Sequence, residues 1–203
     1  SNGGSFVLAT GTDVRQTLTV DTTTSFGSSK LVNFTVGSGI TTDVFDYNSP
    51  LFAGDGTSQP IGNTLGLTVI GSSTSSSSRI NSISDDANAV VDFETSGLSV
   101  DFTNPNSLSS TLLTEIIQAA EDLLESTDLA TNFTGANSQV ARGKANTDSL
   151  LIFYEASGQG TTADAVIIRY QEGTADAPFD NELAVLAIFE GVSSGSFDDA
   201  NII

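Results

Sequence analysis

The sequence predicts a mainly β protein, a single-domain β-sandwich or flattened β-roll with one amphipathic helix packed on a sheet face. Three observations carry this. Residues 149–154, 165–170 and 183–189 are short runs rich in Ile, Val, Leu, Phe and Tyr, each bounded by Gly, Asp, Ser and Thr. Small polar residues dominate elsewhere, as they do in turns and on exposed strand faces. Only one stretch repeats its apolar residues at helical spacing.

Taken in order, the N-terminal strands occupy 1–104. Residues 6–9, 16–20 and 30–36 are β-like runs punctuated by Gly3, Gly4, Gly11, Gly37 and Gly39. A further strand is expected at 64–70, and the Ser-rich run 71–78 is the simplest kind of exposed loop within one domain. Residues 89–93 and 98–102 are expected to pair as a hairpin through 94–97, which ends in Gly97.

The helical segment is 105–127. Leu113, Ile116, Ile117, Ala120, Leu123 and Leu124 form one apolar stripe, with Ser109 and Ser110 among its start signals. Such a stripe covers a sheet face. Residues 128–147 are polar and irregular, and the C-terminal strands occupy 148–203. In 183–189 both alternating faces are apolar, so this strand is expected to be covered on both sides. In 165–170 Val166, Ile168 and Tyr170 share a face and Arg169 lies on the other, the pattern of a half-exposed strand.

Composition narrows the function. The chain has 203 residues, 25 acids against 6 bases, and a net charge of −19. Nucleic acid and anionic membrane are poor partners for it, since phosphate binding needs basic surface. No run of eighteen apolar residues offers a membrane span. Cys and His are absent, which removes disulfides, thiolates and imidazole bases. A metal would have oxygen ligands only, which favours calcium or magnesium. Asp43, Asp46 and Asp55, with Asp13 behind them, are the residues placed to ligate it if they sit on turns; the competing reading is that they are turn-forming or capping aspartates. The acidic neighbours Asp85–Asp86 and Asp198–Asp199 make no catalytic dyad, because adjacent strand residues point to opposite faces. Lys30 and Lys144 are the only lysines, and neither lies in a Ser-x-x-Lys context. The chain is therefore read as no enzyme.

Residues 150–154, 164–170, 182–192 and 197–203 together resemble the C-terminal regions of type I-secreted repeats-in-toxin (RTX) proteins, including RTX-like bacterial surface-layer proteins. Residues 31–34 and 42–47 are similar to the segment that often follows that family's repeats. The family's calcium repeat, Gly-Gly-x-Gly-x-Asp-x-apolar-x, does not occur intact. The resemblance implies a protein secreted from a bacterium or held at its surface, with the type I secretion apparatus as a partner. It implies an export signal at Phe197, Asp198, Asp199, Ile202 and Ile203, and calcium-assisted folding outside the cell. The function expected is an extracellular structural one: a self-associating surface-layer or filament subunit, homo-oligomeric or polymeric. The alternative is a calcium-dependent adhesin or carbohydrate-binding module, for which Tyr47 and Phe52 are the aromatic residues available, with core packing as the competing role.

Overall fold

A computed structural model describes residues 5–9, 15–20, 29–47, 51–52, 58–59, 67–69, 90–102, 109–125, 148–160, 163–171 and 183–203. Eleven strands and one α-helix are described. The strands are β1 (Ser5–Val7), β2 (Thr17–Val20), β3 (Ser29–Val32), β4 (Val44–Tyr47), β5 (Leu51–Phe52), β6 (Ser58–Gln59), β7 (Leu67–Val69), β8 (Val90–Leu98), β9 (Asp148–Glu155), β10 (Asp164–Gln171) and β11 (Leu183–Glu190). The helix, α1, spans Ser110–Glu125. Among the described residues the protein is mainly β with a single α-helix, as the sequence predicts.

Seven strands make one mixed sheet in the order β1-β3-β11-β10-β9-β8-β7. The three C-terminal runs form its antiparallel centre, β9-β10-β11. Parallel strands from the N-terminal half flank them on both sides. The strands before and after the Ser-rich run, β7 and β8, are direct neighbours; the run itself lies outside the described residues.

Alternation along the central strands divides the core in two. On one face Leu151, Phe153, Val166, Ile168, Tyr170, Leu183, Val185 and Ile188 pack against α1. On the other, Leu150, Ile152, Ala165, Ile167 and Phe189 pack against Val20, Phe45 and Tyr47 of the small parallel sheet β2-β4. The strand β11 is covered on both sides, as its composition requires.

Three sequence expectations are corrected. First, β10 is not half-exposed: held between β9 and β11, it has Ala165, Ile167 and Ile168 all fully buried. Arg169 was a misleading signal, because one polar residue near a strand end says nothing about the residues deeper in. Second, residues 94–97 do not turn a hairpin. They lie inside β8, which runs parallel to β9 and shifts register between Asp92 and Gly97. Gly97 is there for closeness: a Cβ would stand 2.6 Å from the Cα of Ala156, a distance real Cβ atoms do not adopt. The Gly that suggested a turn marks a bulged stretch against a neighbouring backbone. Third, the run 30–36 is not one strand. It ends at Val32, and Asn33 takes a left-handed φ of 65° while its side-chain amide donates to the Leu8 carbonyl.

A bulge also hides in β11. Ile167 pairs with Ala187 but Ile168 with Val185, so Leu186 is extra. It inverts the alternation, placing Leu183 and Val185 with Ile188 toward the helix and Leu186 with Phe189 on the opposite face. An all-apolar strand gives no sign of this.

The helix begins where its cap predicts. Ser109 Oγ accepts from the Leu112 amide at 3.2 Å. The deepest residues are Leu112, Ile116 and Ala120, with Leu113, Ile117, Ala119 and Leu123 beside them. The predicted stripe therefore sits about one residue off the true centre line, and Leu112 belongs to it. Burying Leu112 and Ile116 contributes about 1.5–3 kcal/mol each before entropy.

Candidate functional site

Two polar constellations stand out among the described residues. The first joins the C-terminal segment to β4. Its centre is Asp43, 2 % exposed. One carboxylate oxygen accepts from the Gln16 amide at 2.9 Å and the other from the Thr35 amide at 2.8 Å. The Asp43 amide in turn donates to the Thr35 carbonyl at 2.8 Å, and the Val44 amide to the Gln16 carbonyl. Asn201, fully buried, completes the node. Its Nδ2 donates to the Asp43 carbonyl at 2.9 Å, and its Oδ1 accepts from the amides of Gly37 and Asp198 at 2.9 and 3.0 Å. Asp198 caps the short 3₁₀ turn Asp199–Asn201 through the Ala200 amide.

Beyond the turn, Ile202 bridges to Phe45 in parallel, so residues 202–203 run along β4. The Ile203 amide donates to the Phe45 carbonyl and the Tyr47 amide to the Ile203 carbonyl. Phe197 packs edge-on against Phe189 at 5.2 Å. The residues expected to form an export signal are thus woven into the fold: Phe197 and Ile202 are buried, Asp198 caps, and Asp199 is exposed.

The aspartates expected to bind calcium divide differently. Asp43 and Asp46 lie on an extended run rather than a turn, and each already serves another group. Both Asp43 oxygens are taken by backbone amides, and Asp46 accepts from the Thr19 hydroxyl at 2.9 Å. Three residues apart in extended backbone, they face opposite sides, so they do not converge on one ion. Asp13 and Asp55 lie outside the described residues. Tyr47 is buried in the core beside Phe45, and Phe52's side chain lies outside what is described.

The second constellation was not singled out in the sequence. Glu155 ends β9, Asp164 begins β10 and Glu190 ends β11. Asp164 stands directly opposite Glu190, and the β9–β10 register places Glu155 one position beyond the Tyr154–Ala165 pair. All three fall in phase with the helix-side residues Phe153, Val166 and Ile188, so they form a row of carboxylates across one end of the sheet. Lys30 on β3 closes the row with an ion pair to Glu190 at 2.8 Å. Asp164, 1 % exposed, also accepts from the Gly191 amide. Like charges directly opposite are unfavourable. Burial, reinforced by the negative charges of Asp164 and Asp101, pushes the Glu155 carboxyl up from 4.5 to about 7. The only sequence signal was an acid at the end of each of three strands, and it becomes a row only once their order is known.

The sign of the pH effect follows. The folded chain holds this proton more tightly than the unfolded chain does, so the stability it contributes is complete below about 4.5 and is lost as pH rises through about 7. Glu155→Gln is expected to flatten that loss: similar melting to the parent at pH 4.5, and a melting temperature about 2–4 °C higher at pH 8, which corresponds to about 1 kcal/mol in a chain of this size. Parallel melting series across pH would check it, and a variant that melts lower than the parent at pH 8 contradicts the assignment.

The fold and these two constellations define a mainly β protein with a mixed sheet, an acidic row at one sheet end and a polar node pinning residues 197–203. No protein-family model, no curated protein and no solved structure matches the chain. Among the described residues no group of three or more potential ligands is arranged to hold a metal ion, and no helix is long and apolar enough to cross a membrane.

Proposed function

We propose that the chain is an extracellular structural module, a self-associating surface-layer or filament subunit, and not an enzyme. One observation carries the reading. Among the described residues the two edges of the seven-stranded sheet are β1 and β7, and on β1 Val7 is 71 % exposed. Open edges with apolar residues are where a further strand adds. Because the two edges differ, joining β1 of one copy to β7 of the next is a head-to-tail contact, which repeats as filaments or rows unless the rotation between copies closes a ring. A charge of −19 and the many small polar residues support a place outside the cell.

Calcium assistance belongs to this proposal as an offset to self-repulsion, to which the row of Glu155, Asp164 and Glu190 contributes; Asp43 and Asp46 do not converge on one ion. The expected result is ordered filaments or sheets by electron microscopy in millimolar calcium and a melting temperature several degrees lower in chelator. Featureless monomers in both conditions would sink the assembly reading, and an unchanged melting curve would remove calcium from it. Export by the type I route is proposed from the resemblance of residues 197–203, whose burial follows folding outside the cell. Removing residues 192–203 should leave the protein inside its host; unimpaired appearance in the medium refutes that part. The adhesin reading loses Tyr47, which is buried.

A further inference from the structure

The geometry points to an exchangeable strap: residues 196–203 of one copy dock on β4 of a second copy, linking subunits by a segment each already carries. This rests on the self-association reading above and names its contact.

The segment is a small unit with its own shape. Asp198 and Asn201 form a reciprocal cap within it, the Asp198 carboxylate accepting from Ala200 and the Asn201 oxygen accepting from Asp198. Apart from the contacts of Ser196 to Ser193, several of its polar contacts go far along the chain. Asn201 binds Gly37 and Asp43, and Arg15 donates to the Ala200 carbonyl at 3.3 Å. The backbone of Ile203 bonds to Phe45 and Tyr47. The receiving surface is thus built from Arg15, Gly37, Asp43, Phe45 and Tyr47, with Phe189 beneath Phe197, and it is complete on any copy whose own segment is elsewhere. With β2 on one side of β4, the segment occupies the other side. A vacated β4 would expose an unpaired edge and the core around Phe45, and such an edge is a template for another strand.

The link between β11 and the segment is made to change course. Gly191 and Gly195 both have positive φ, 80° and 71°. Gly191, Ser193, Ser194 and Gly195 are exposed, while Val192 is buried in the core, so the turn that can open is 193–195, held by Ser193 and Ser196. Glycine passes between that conformation and an extended one without steric cost. Extended, the link carries the segment away from its own β4. The contacts made within a copy and between copies are the same, so concentration and link length decide between them.

The test shortens the link. Deleting residues 193–195 from the full chain should prevent the segment from folding back. Light scattering after gel filtration should then find dimers or larger species at concentrations at least tenfold below those at which the parent associates. A synthetic peptide of residues 196–203, labelled, should bind the full chain and, in tenfold excess, dissolve its assemblies. A folded, monomeric deletion variant overturns the inference. If the deletion variant does not fold, the peptide decides: assemblies unaffected by a peptide that does not bind overturn the strap. Assemblies that persist in that way leave edge pairing through β1 and β7 as the route, so the broader reading survives. A full chain that never associates in calcium, with no peptide bound, ends both.

Discussion

Asn201→Ala is expected to lower stability by about 3 kcal/mol, which for a chain of this length is roughly 6–12 °C in melting temperature. Three backbone groups lose a partner at once: the amides of Gly37 and Asp198 and the carbonyl of Asp43. A buried group left unpaired costs more than its hydrogen bond contributed, because water cannot replace the partner. The loss also spreads, since Asp43 positions Gln16 and Thr35 through its carboxylate. Asn201→Asp supplies the control. It keeps the acceptor for Gly37 and Asp198 but loses the donor and brings a second carboxylate beside Asp43, so it should be no better tolerated. Denaturant midpoints for both variants check this. A cost under about 1 kcal/mol for Asn201→Ala would mean that water satisfies the node.

Phe189→Ala is expected to cost about 3–5 kcal/mol, the usual range for emptying a buried aromatic site. Phe189 is fully buried in the central strand β11, and three rings meet it edge-on: Phe34 at 4.8 Å, Phe197 at 5.2 Å and Phe45 at 5.9 Å. These rings come from the residues after β3, from the C-terminal segment and from β4, so the cavity would open at the junction of three elements held by long-range contacts. Phe189→Leu should cost less, because more of the volume is kept. Equal losses for the two substitutions would show that the ring–ring geometry, not the filled volume, carries the stability.

How the strands were read follows from what alternation encodes. The runs at 149–154, 165–170 and 183–189 were legible because they are β-branched, aromatic and bounded by turn residues. They became β9, β10 and β11 within a residue or two at each end. The helix was legible because its stripe recurs at 3.6 residues, and its cap at Ser109 was among the signals named. The same alternation failed in β8, where Gly97 looked like a turn but serves close packing against Ala156. It failed again in β11, where a strand apolar on both faces conceals the bulge at Leu186. The aspartates show the limit for chemistry. Spacing suggested that Asp43 and Asp46 could meet at an ion, yet Asp43's oxygens are filled by amides from Gln16 and Thr35, residues whose nearness no local pattern announces.

By itself the sequence determined that the chain would be mainly β, where its helix and three inner strands would lie, and that no thiol or imidazole would be on hand. These are matters of composition and local period, which act within a few residues. Tertiary structure alone decided the strand order, which lines up Glu155, Asp164 and Glu190 into one charged row. It alone placed Asn201 beside Asp43, 158 positions away. Such contacts depend on which strands pair, and that choice is made by the whole core rather than by any stretch of it.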